Sequence, residues 1–255
     1  MQNALLNVHR FLKLWLGYIF DLLYPKDCYF CHKPSGEDGY LCQECLERLS
    51  LHRNPSCLRC GAESARVAGS DFICSECLVS PPAFERAFIV ARYDTAFRDL
   101  IQTFKYRRGI WLTTDLVRYL EATYRVRIEE AQISIDVIVP VPMQRSKLRS
   151  RGYNQAAYLA KGLAKAIQLP CVMNALKRVD TGVISQTRLV RDGRLANARA
   201  AYRLGRTREL EGKTILLVDD VITTGATCNA CASLLRQAGA KAVYVLALAR
   251  PFRLS

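Results

Sequence analysis

Three textures of apolar and polar positions follow one another along the chain. Residues 4 to 23, ALLNVHRFLKLWLGYIFDLL, carry apolar side chains on most faces of one helix, which Tyr24 and Pro25 end. Such a helix has to bury itself, against the rest of the protein or, through Trp15 and Tyr18, at a membrane surface or a partner. From Cys28 to Pro82 the periodic runs give way to short segments rich in Cys, Gly, Pro and Ser. Something other than hydrophobic burial must hold them. Beyond Pro82 strands and helices alternate. AFIVARY at 87 to 93 predicts a strand, Phe97 to Lys105 a helix, residues 111 to 130 a second helix, and Asp136 to Pro140 a strand. A helix over Gln155 to Ile167 and a strand near Cys171 to Lys177 come next. TILLVDD at 214 to 220, a helix at 228 to 238 stopped by Gly239, and the strand AVYVLALA at 242 to 249 complete the series. Near-continuous apolar strands separated by helices predict an α/β fold, with a mostly parallel sheet covered on both faces. The expected division is a helix at 1–24, a cysteine module at 25–82 and the α/β domain at 83–255.

Composition narrows the class. Half of the 255 residues are hydrophobic, enough for a sizeable core, so disorder is not the expected state. Lys and Arg number 37 against 23 Asp and Glu, a net charge of +14 that favours polyanions such as nucleic acid or a phosphorylated substrate. Arg10 and Lys13 interrupt the apolar N-terminus, and neither a cleavable signal nor an unbroken membrane-length apolar run is evident. The expected location is the cytoplasm. There, eleven cysteines imply reduced thiols or metal ligands and not disulfides.

Their spacing decides between those two. Four C-x2-C pairs stand in a row, Cys28/Cys31, Cys42/Cys45, Cys57/Cys60 and Cys74/Cys77, with 10 residues between the first two pairs and 13 between the last two. Each such turn aims two sulfurs at one point, and two turns complete the tetrahedron that zinc prefers. Two zinc ions are expected. With four sulfurs on each, no position remains for a catalytic water, so the role is structural. Spacing alone allows sequential or crossed pairing of the turns. His32, beside a ligand but outside the pair pattern, reads as an exposed loop residue, and Cys228 and Cys231 as helix packing. Metal binding supplies the ribbon's folding energy, so losing Cys57 and Cys60 is expected to unfold it and to spare the C-terminal sheet.

ILLVDDVITTGAT, from Ile215 to Thr227, is the most informative stretch. An apolar strand delivers Asp219 and Asp220 to its C-terminal end, where open parallel sheets bind ligands. Thr223, Thr224, Gly225, Ala226 and Thr227 then turn into a helix, and such a turn can point N–H groups and hydroxyls at one phosphate. Two carboxylates repel a phosphate. Their natural partner is a neutral diol beside it, or a metal, and a 5-phosphorylated ribose offers diol and phosphate at a suitable separation. At a strand's open end those carboxylates are expected to face solvent or ligand and not the core. The cations Arg145, Lys147, Arg149 and Arg151 read as a loop at the same sheet edge, with Lys105 and Arg107 able to join them. Gln186, Arg191, Arg194 and Asn197 lie on a polar stretch long enough to form a hood over the site.

The thirteen residues resemble the motif by which type I phosphoribosyltransferases bind 5-phosphoribosyl-1-pyrophosphate (PRPP). That resemblance implies that Asp219 and Asp220 hold the ribose hydroxyls and that residues 223 to 227 cradle the 5-phosphate. Together with FKYRR at 104 to 108, VPVPMQRSKLRSRGYNQ at 139 to 155, SQTRLVRDGRLANARAAY at 185 to 202 and the cysteine pairs, the chain resembles the ComF family, which couples a zinc-ribbon module to a phosphoribosyltransferase-like domain. The resemblance spans residues 28 to 249. It implies PRPP with Mg2+ as ligand, Lys105, Arg151 and Asn154 as further PRPP contacts, and an association with single-stranded DNA and DNA-uptake proteins such as a helicase. The implied chemistry is displacement of pyrophosphate at ribose C1. No residue stands out as a base for the acceptor, and no segment identifies the acceptor. A PRPP sensor without turnover and a zinc-bearing adaptor on an old enzyme fold are the rival readings.

Overall fold

Among the described residues six strands succeed one another: β1 (Ala87–Arg92), β2 (Val137–Pro140), β3 (Leu176–Arg178), β4 (Tyr202–Leu204), β5 (Thr214–Val221) and β6 (Ala242–Arg250). In the computed structural model, which describes residues 26–35, 39–49, 51, 55–63, 72–179 and 201–252, four of them form one parallel sheet in the order β1-β6-β5-β2. The helix expected at 4 to 23, and Gln186, Arg191, Arg194 and Asn197, lie outside the described residues. The helices are α1 (Gln43–Glu47), α2 (Ser75–Val79), α3 (Thr95–Tyr106), α4 (Thr113–Tyr124), α5 (Arg145–Arg151), α6 (Gln155–Ala166) and α7 (Ala226–Gln237).

The strands of the main sheet are apolar along most of their length because both faces of the sheet are covered. Along β5, Ile215 and Leu217 join the cluster that includes Cys231 and Leu235 of α7. Leu216 and Val218 point the other way, toward the side of α4 and α6, and are equally sealed from water. Each such side chain contributes about 1.5–3 kcal/mol on full burial. Parallel pairing brings the C-terminal ends of the four sheet strands to one edge, where Pro140 lies opposite Val218 and Asp219 to Val221 run on past the end of β2. The small antiparallel pair β3-β4 lies apart from the main sheet.

Three local expectations need correction. The helix expected over 111 to 130 is a 3-10 turn at Gly109–Leu112, then α4, then a wider π turn at Arg125–Glu129. Near 171 to 177 the strand is shorter than expected: Cys171 makes only an isolated bridge to Ile138, and β3 starts at Leu176. Arg145 to Arg151 is a helix and not a loop. No residue of α5 is buried, so apolar periodicity could not have announced it. Gly152 ends it in the left-handed region, at φ +84°.

The chain divides into two compact units, Met1–Leu49 and Ser50–Ser255. The second cysteine quartet therefore shares a unit with the sheet. Gly61, just past its first C-x2-C turn, has φ +69°, and a Cβ there would come within 2.8 Å of both the Ala87 carbonyl and Ile89 Cγ1. The Ala87 N–H donates to the Arg59 carbonyl at 2.8 Å, and Arg92 of β1 pairs with Glu63. These ties to β1 revise the expectation that losing Cys57 and Cys60 would leave the sheet untouched.

Candidate functional site

At the C-terminal edge of β2 and β5 lies a cleft of about 290 Å3. Asp219 and Asp220 reach it from β5, Lys105 and Tyr106 from the end of α3, Met143 and Gln144 from the loop after β2, and Lys147 and Arg151 from α5. Asn154, Arg178, Tyr202 and Thr227 add to the walls. Lys105, Lys147, Arg151 and Arg178 set four cations against two carboxylates, so the cleft favours an anionic ligand.

The two carboxylates have different surroundings. Lys105 Nζ donates to Asp220 Oδ1 at 2.9 Å, with both side chains largely shielded from water. Asp220 is largely shielded from solvent yet lines the cleft, so of the two expected surroundings, solvent or ligand, it has the second. Asp219 accepts the Asp220 backbone N–H at 2.9 Å, and its Oδ2 lies 3.8 Å from the Cys228 thiol. Burial, and next the Asp220 charge, push Asp219 up to about 7, against weaker opposing pulls from the Asp220 N–H and Lys105. The same burial raises the Cys228 thiol well above its ordinary range, so it stays protonated. Cys228 and Cys231 pack inside α7, as the sequence suggested.

The turn after β5 is built for an N-terminal helix contact. Gly225 caps α7 at φ +82°, and Thr224 Oγ1 accepts the Ala226 N–H at 3.3 Å. Thr223 and Thr224 are exposed, and of residues 223 to 227 only Thr227 lines the cleft itself. Thr223, Thr224, Gly225 and Ala226 do not line it.

The RGYNQ segment shapes the cleft more than it fills it. Asn154 caps α6 by accepting the Ala156 N–H at 3.1 Å, while its Nδ2 donates to the Val141 carbonyl at 3.0 Å and holds the loop after β2. Tyr153 donates its hydroxyl to the Phe104 carbonyl, and the fully buried Gln155 sends Nε2 to the Lys105 carbonyl at 3.5 Å. Both clamp the end of α3. Arg151 lies 4.5 Å above the Tyr106 ring and also donates to that residue's hydroxyl at 2.8 Å.

Arg178 escaped the sequence reading because its partner stands 24 residues further on. It faces Tyr202 across the β3-β4 pair and donates to the Tyr202 hydroxyl at 2.9 Å. Only strand pairing brings those two together. Met143 and Gln144 likewise carry no signal until the fold bends them to the edge of β5.

The eight paired cysteines form two quartets, and the pairing is sequential: Cys28, Cys31, Cys42 and Cys45 in one, Cys57, Cys60, Cys74 and Cys77 in the other, with each set of sulfurs within 4.8 Å of one another. Cys31 and Cys42 sulfurs are 3.6 Å apart and those of Cys60 and Cys74 are 3.8 Å apart. Four ligands at about 2.3 Å from a tetrahedral zinc stand about 3.8 Å from each other, so both quartets fit the ion. The first turn of each quartet ends in a left-handed residue, the exposed His32 at φ +57° and Gly61 at φ +69°. The second turn opens a short helix, with Cys42 and Cys74 as N-caps of α1 and α2. Among the described residues no helix is long and apolar enough to cross a membrane.

Comparison with known proteins agrees with both parts. Residues 19–78 match the family model of the double zinc ribbon domain, and residues 120–252 that of the phosphoribosyl transferase domain. Competence protein F of Haemophilus influenzae is 32% identical over 212 residues, 82% of this chain and 90% of that one. The DNA utilization protein YhgH of Escherichia coli is 30% identical over 232 residues, covering 90% of this chain and 99% of its own. Competence protein ComFC of Streptococcus pneumoniae is 28% identical over 84% of this chain and 89% of its own.

Proposed function

The chain belongs to the ComF family of competence and DNA-utilisation proteins, which joins a double zinc ribbon to a phosphoribosyl transferase domain, and we propose that it binds PRPP in the cleft at the end of β2 and β5. One observation carries the reading: two adjacent carboxylates end a buried parallel strand and stand directly before a glycine turn into α7, in a cleft whose other charges are positive. Asp219 and Asp220 accept hydrogen bonds from the ribose hydroxyls. The turn from Thr223 to Thr227, with the first N–H groups of α7, receives the 5-phosphate. Lys147 and Arg151 face the pyrophosphate, and Lys105 is the further cation within reach of it. Mg2+ arriving with PRPP supplies further neutralisation of the departing charge. Asn154 acts indirectly, by fixing the loop after β2 and the start of α6. The reaction is transfer of the phosphoribosyl group with loss of pyrophosphate, driven by electrostatic stabilisation within the cleft.

A role with single-stranded DNA in the cytoplasm fits the same edge of the sheet. α5 carries Arg145, Lys147, Arg149 and Arg151 with none of its residues buried, and Tyr106 beside it is 67% exposed. Phosphate contacts and base stacking use those residue types. Isothermal titration of PRPP with Mg2+, followed by a pyrophosphate-release assay with free bases and with single-stranded DNA, tests the reading. Binding with release is expected. Binding without release converts the protein into a PRPP sensor, and no binding leaves a DNA-handling adaptor built on the fold.

A further inference from the structure

We infer that Lys105 is the residue by which this site selects PRPP over ribose 5-phosphate, because it pairs with the carboxylate that the ribose needs. The inference rests on the PRPP reading and assigns a specificity residue within it.

The position of Lys105 is fixed from behind. It stands on the last turn of α3, where the helix dipole favours a cation. Tyr153 and Gln155 donate hydrogen bonds to the carbonyls of Phe104 and of Lys105 itself, which tie down the end of α3. From there Nζ reaches Asp220 Oδ1 at 2.9 Å, and the side chains retain only 17% and 12% of their exposure. A pair shielded to that degree is costly to break unless each charge finds a new partner.

A ribose hydroxyl approaching Asp220 competes with this ammonium. Ribose 5-phosphate brings a diol and a phosphate that belongs at the α7 turn, and offers Lys105 only a neutral C1 hydroxyl in exchange for a carboxylate. PRPP brings a pyrophosphate to the side where Lys147 and Arg151 already stand, and its oxygens can take Lys105 as a third cation. The cost of freeing Asp220 is then offset only for the ligand that carries a leaving group. The site stays closed to the sugar phosphate it would otherwise fit.

Two measurements on the full chain test this. Titrating the wild type with ribose 5-phosphate, alone and with saturating Mg2+ and inorganic pyrophosphate, should show pyrophosphate tightening the sugar phosphate by about fivefold or more, the lower end of ordinary site coupling. In Lys105→Met, ribose 5-phosphate alone should bind more tightly than to wild type, PRPP should bind about tenfold more weakly, and the pyrophosphate effect should vanish. Lys105→Arg, which keeps the ion pair, should restore the preference for PRPP. Ribose 5-phosphate binding that is unchanged or weaker in a folded Lys105→Met protein overturns the inference, as does pyrophosphate coupling that survives the substitution. Should Lys105→Met not fold, absence of pyrophosphate coupling in the wild type overturns it equally. Failure of wild type to bind PRPP at all is a different result, and it removes the reading on which the inference rests.

Discussion

The guanidinium of Arg250, at the end of β6, donates to the backbone carbonyl of Cys60, a member of the second thiol quartet. Arg250 is buried, its charge lies close enough to oppose the rise of the Cys60 thiol, and Arg92, its register partner on β1, pairs with Glu63. A zinc held by four thiolates would carry net negative charge, which the Arg250 guanidinium is placed to offset. The ribbon and the sheet share this buried polar contact, and losing one side of it strands the other.

Cys57→Ser with Cys60→Ser should therefore lower zinc content from about two ions per chain to about one and also destabilise the sheet, since metal binding supplies the ribbon's folding energy. A fall in Tm of about 5 °C or more is expected, at about 2–4 °C per kcal/mol for a domain of this size. Cys28→Ser with Cys31→Ser, in the separate unit Met1–Leu49, should remove one zinc with a smaller effect on that transition. Elemental analysis and calorimetry on the two variants check both halves. Equal shifts would detach the Arg250–Cys60 contact from the sheet's stability.

Replacing Asp219 and Asp220 together by Asn keeps shape and removes acceptor charge, and charge-assisted hydrogen bonds are roughly twice as strong as neutral ones. PRPP affinity should drop at least about tenfold, or ~1.4 kcal/mol. The fold pays something as well, because Lys105 loses the charge it is paired with across 2.9 Å. Asp220→Asn alone should therefore lower Tm, and a Tm equal to that of wild type would mean the pair is worth nothing to stability.

Gly225 separates backbone geometry from space. A Cβ there would meet only Ile222 Cγ2, at 4.0 Å, so a side chain has room, but φ of +82° is strained for any residue but glycine. Gly225→Val should cost about 1–3 kcal/mol in stability if the turn holds, or relax the turn and abolish phosphate binding. Titration with PRPP beside a thermal melt distinguishes those outcomes. Retention of both would free the turn from its assigned role.

Much of this was legible because it is local. The strands of the sheet read as continuous apolar runs since they are buried on both faces, and the quartets read from C-x2-C spacing since each turn is four residues long. The acidic pair read from its place at the end of TILLVDD. What stayed hidden depends on chain segments far apart in sequence. The Lys105–Asp220 pair joins the end of α3 to β5, Arg178 meets Tyr202 only through strand pairing, and Tyr153, Asn154 and Gln155 proved to be clamps because their partners, Phe104, Val141 and Lys105, come from other elements. α5 gave no periodic signal because none of its residues is buried.

Asp219 provides the test by pH. Burial first and Asp220 second raise its carboxyl from the ordinary 3.8 to about 7, so between those values the folded protein holds a proton that the unfolded chain has released. The folded state binds more protons, and stability must then fall as pH rises. This contribution is fully present below about pH 4 and is lost as pH passes 7. Asp219→Asn removes it, so the substitution should raise Tm at pH 8 relative to wild type and leave it nearly unchanged at pH 4. Ligand binding runs in the opposite sense. A protonated Asp219 is a poorer acceptor for a ribose hydroxyl, so PRPP affinity in the wild type should weaken as pH is lowered from 8 to 6. PRPP's own phosphates titrate in that range too, which is why the comparison with Asp219→Asn is needed: the variant should retain only the ligand's share of the slope. Calorimetric melts at pH 4 and 8 and PRPP titrations at pH 6 and 8 supply the four numbers. If the variant's Tm advantage is the same at both pH values, Asp219 ionises in the ordinary carboxylate range, and its burial does not control its charge.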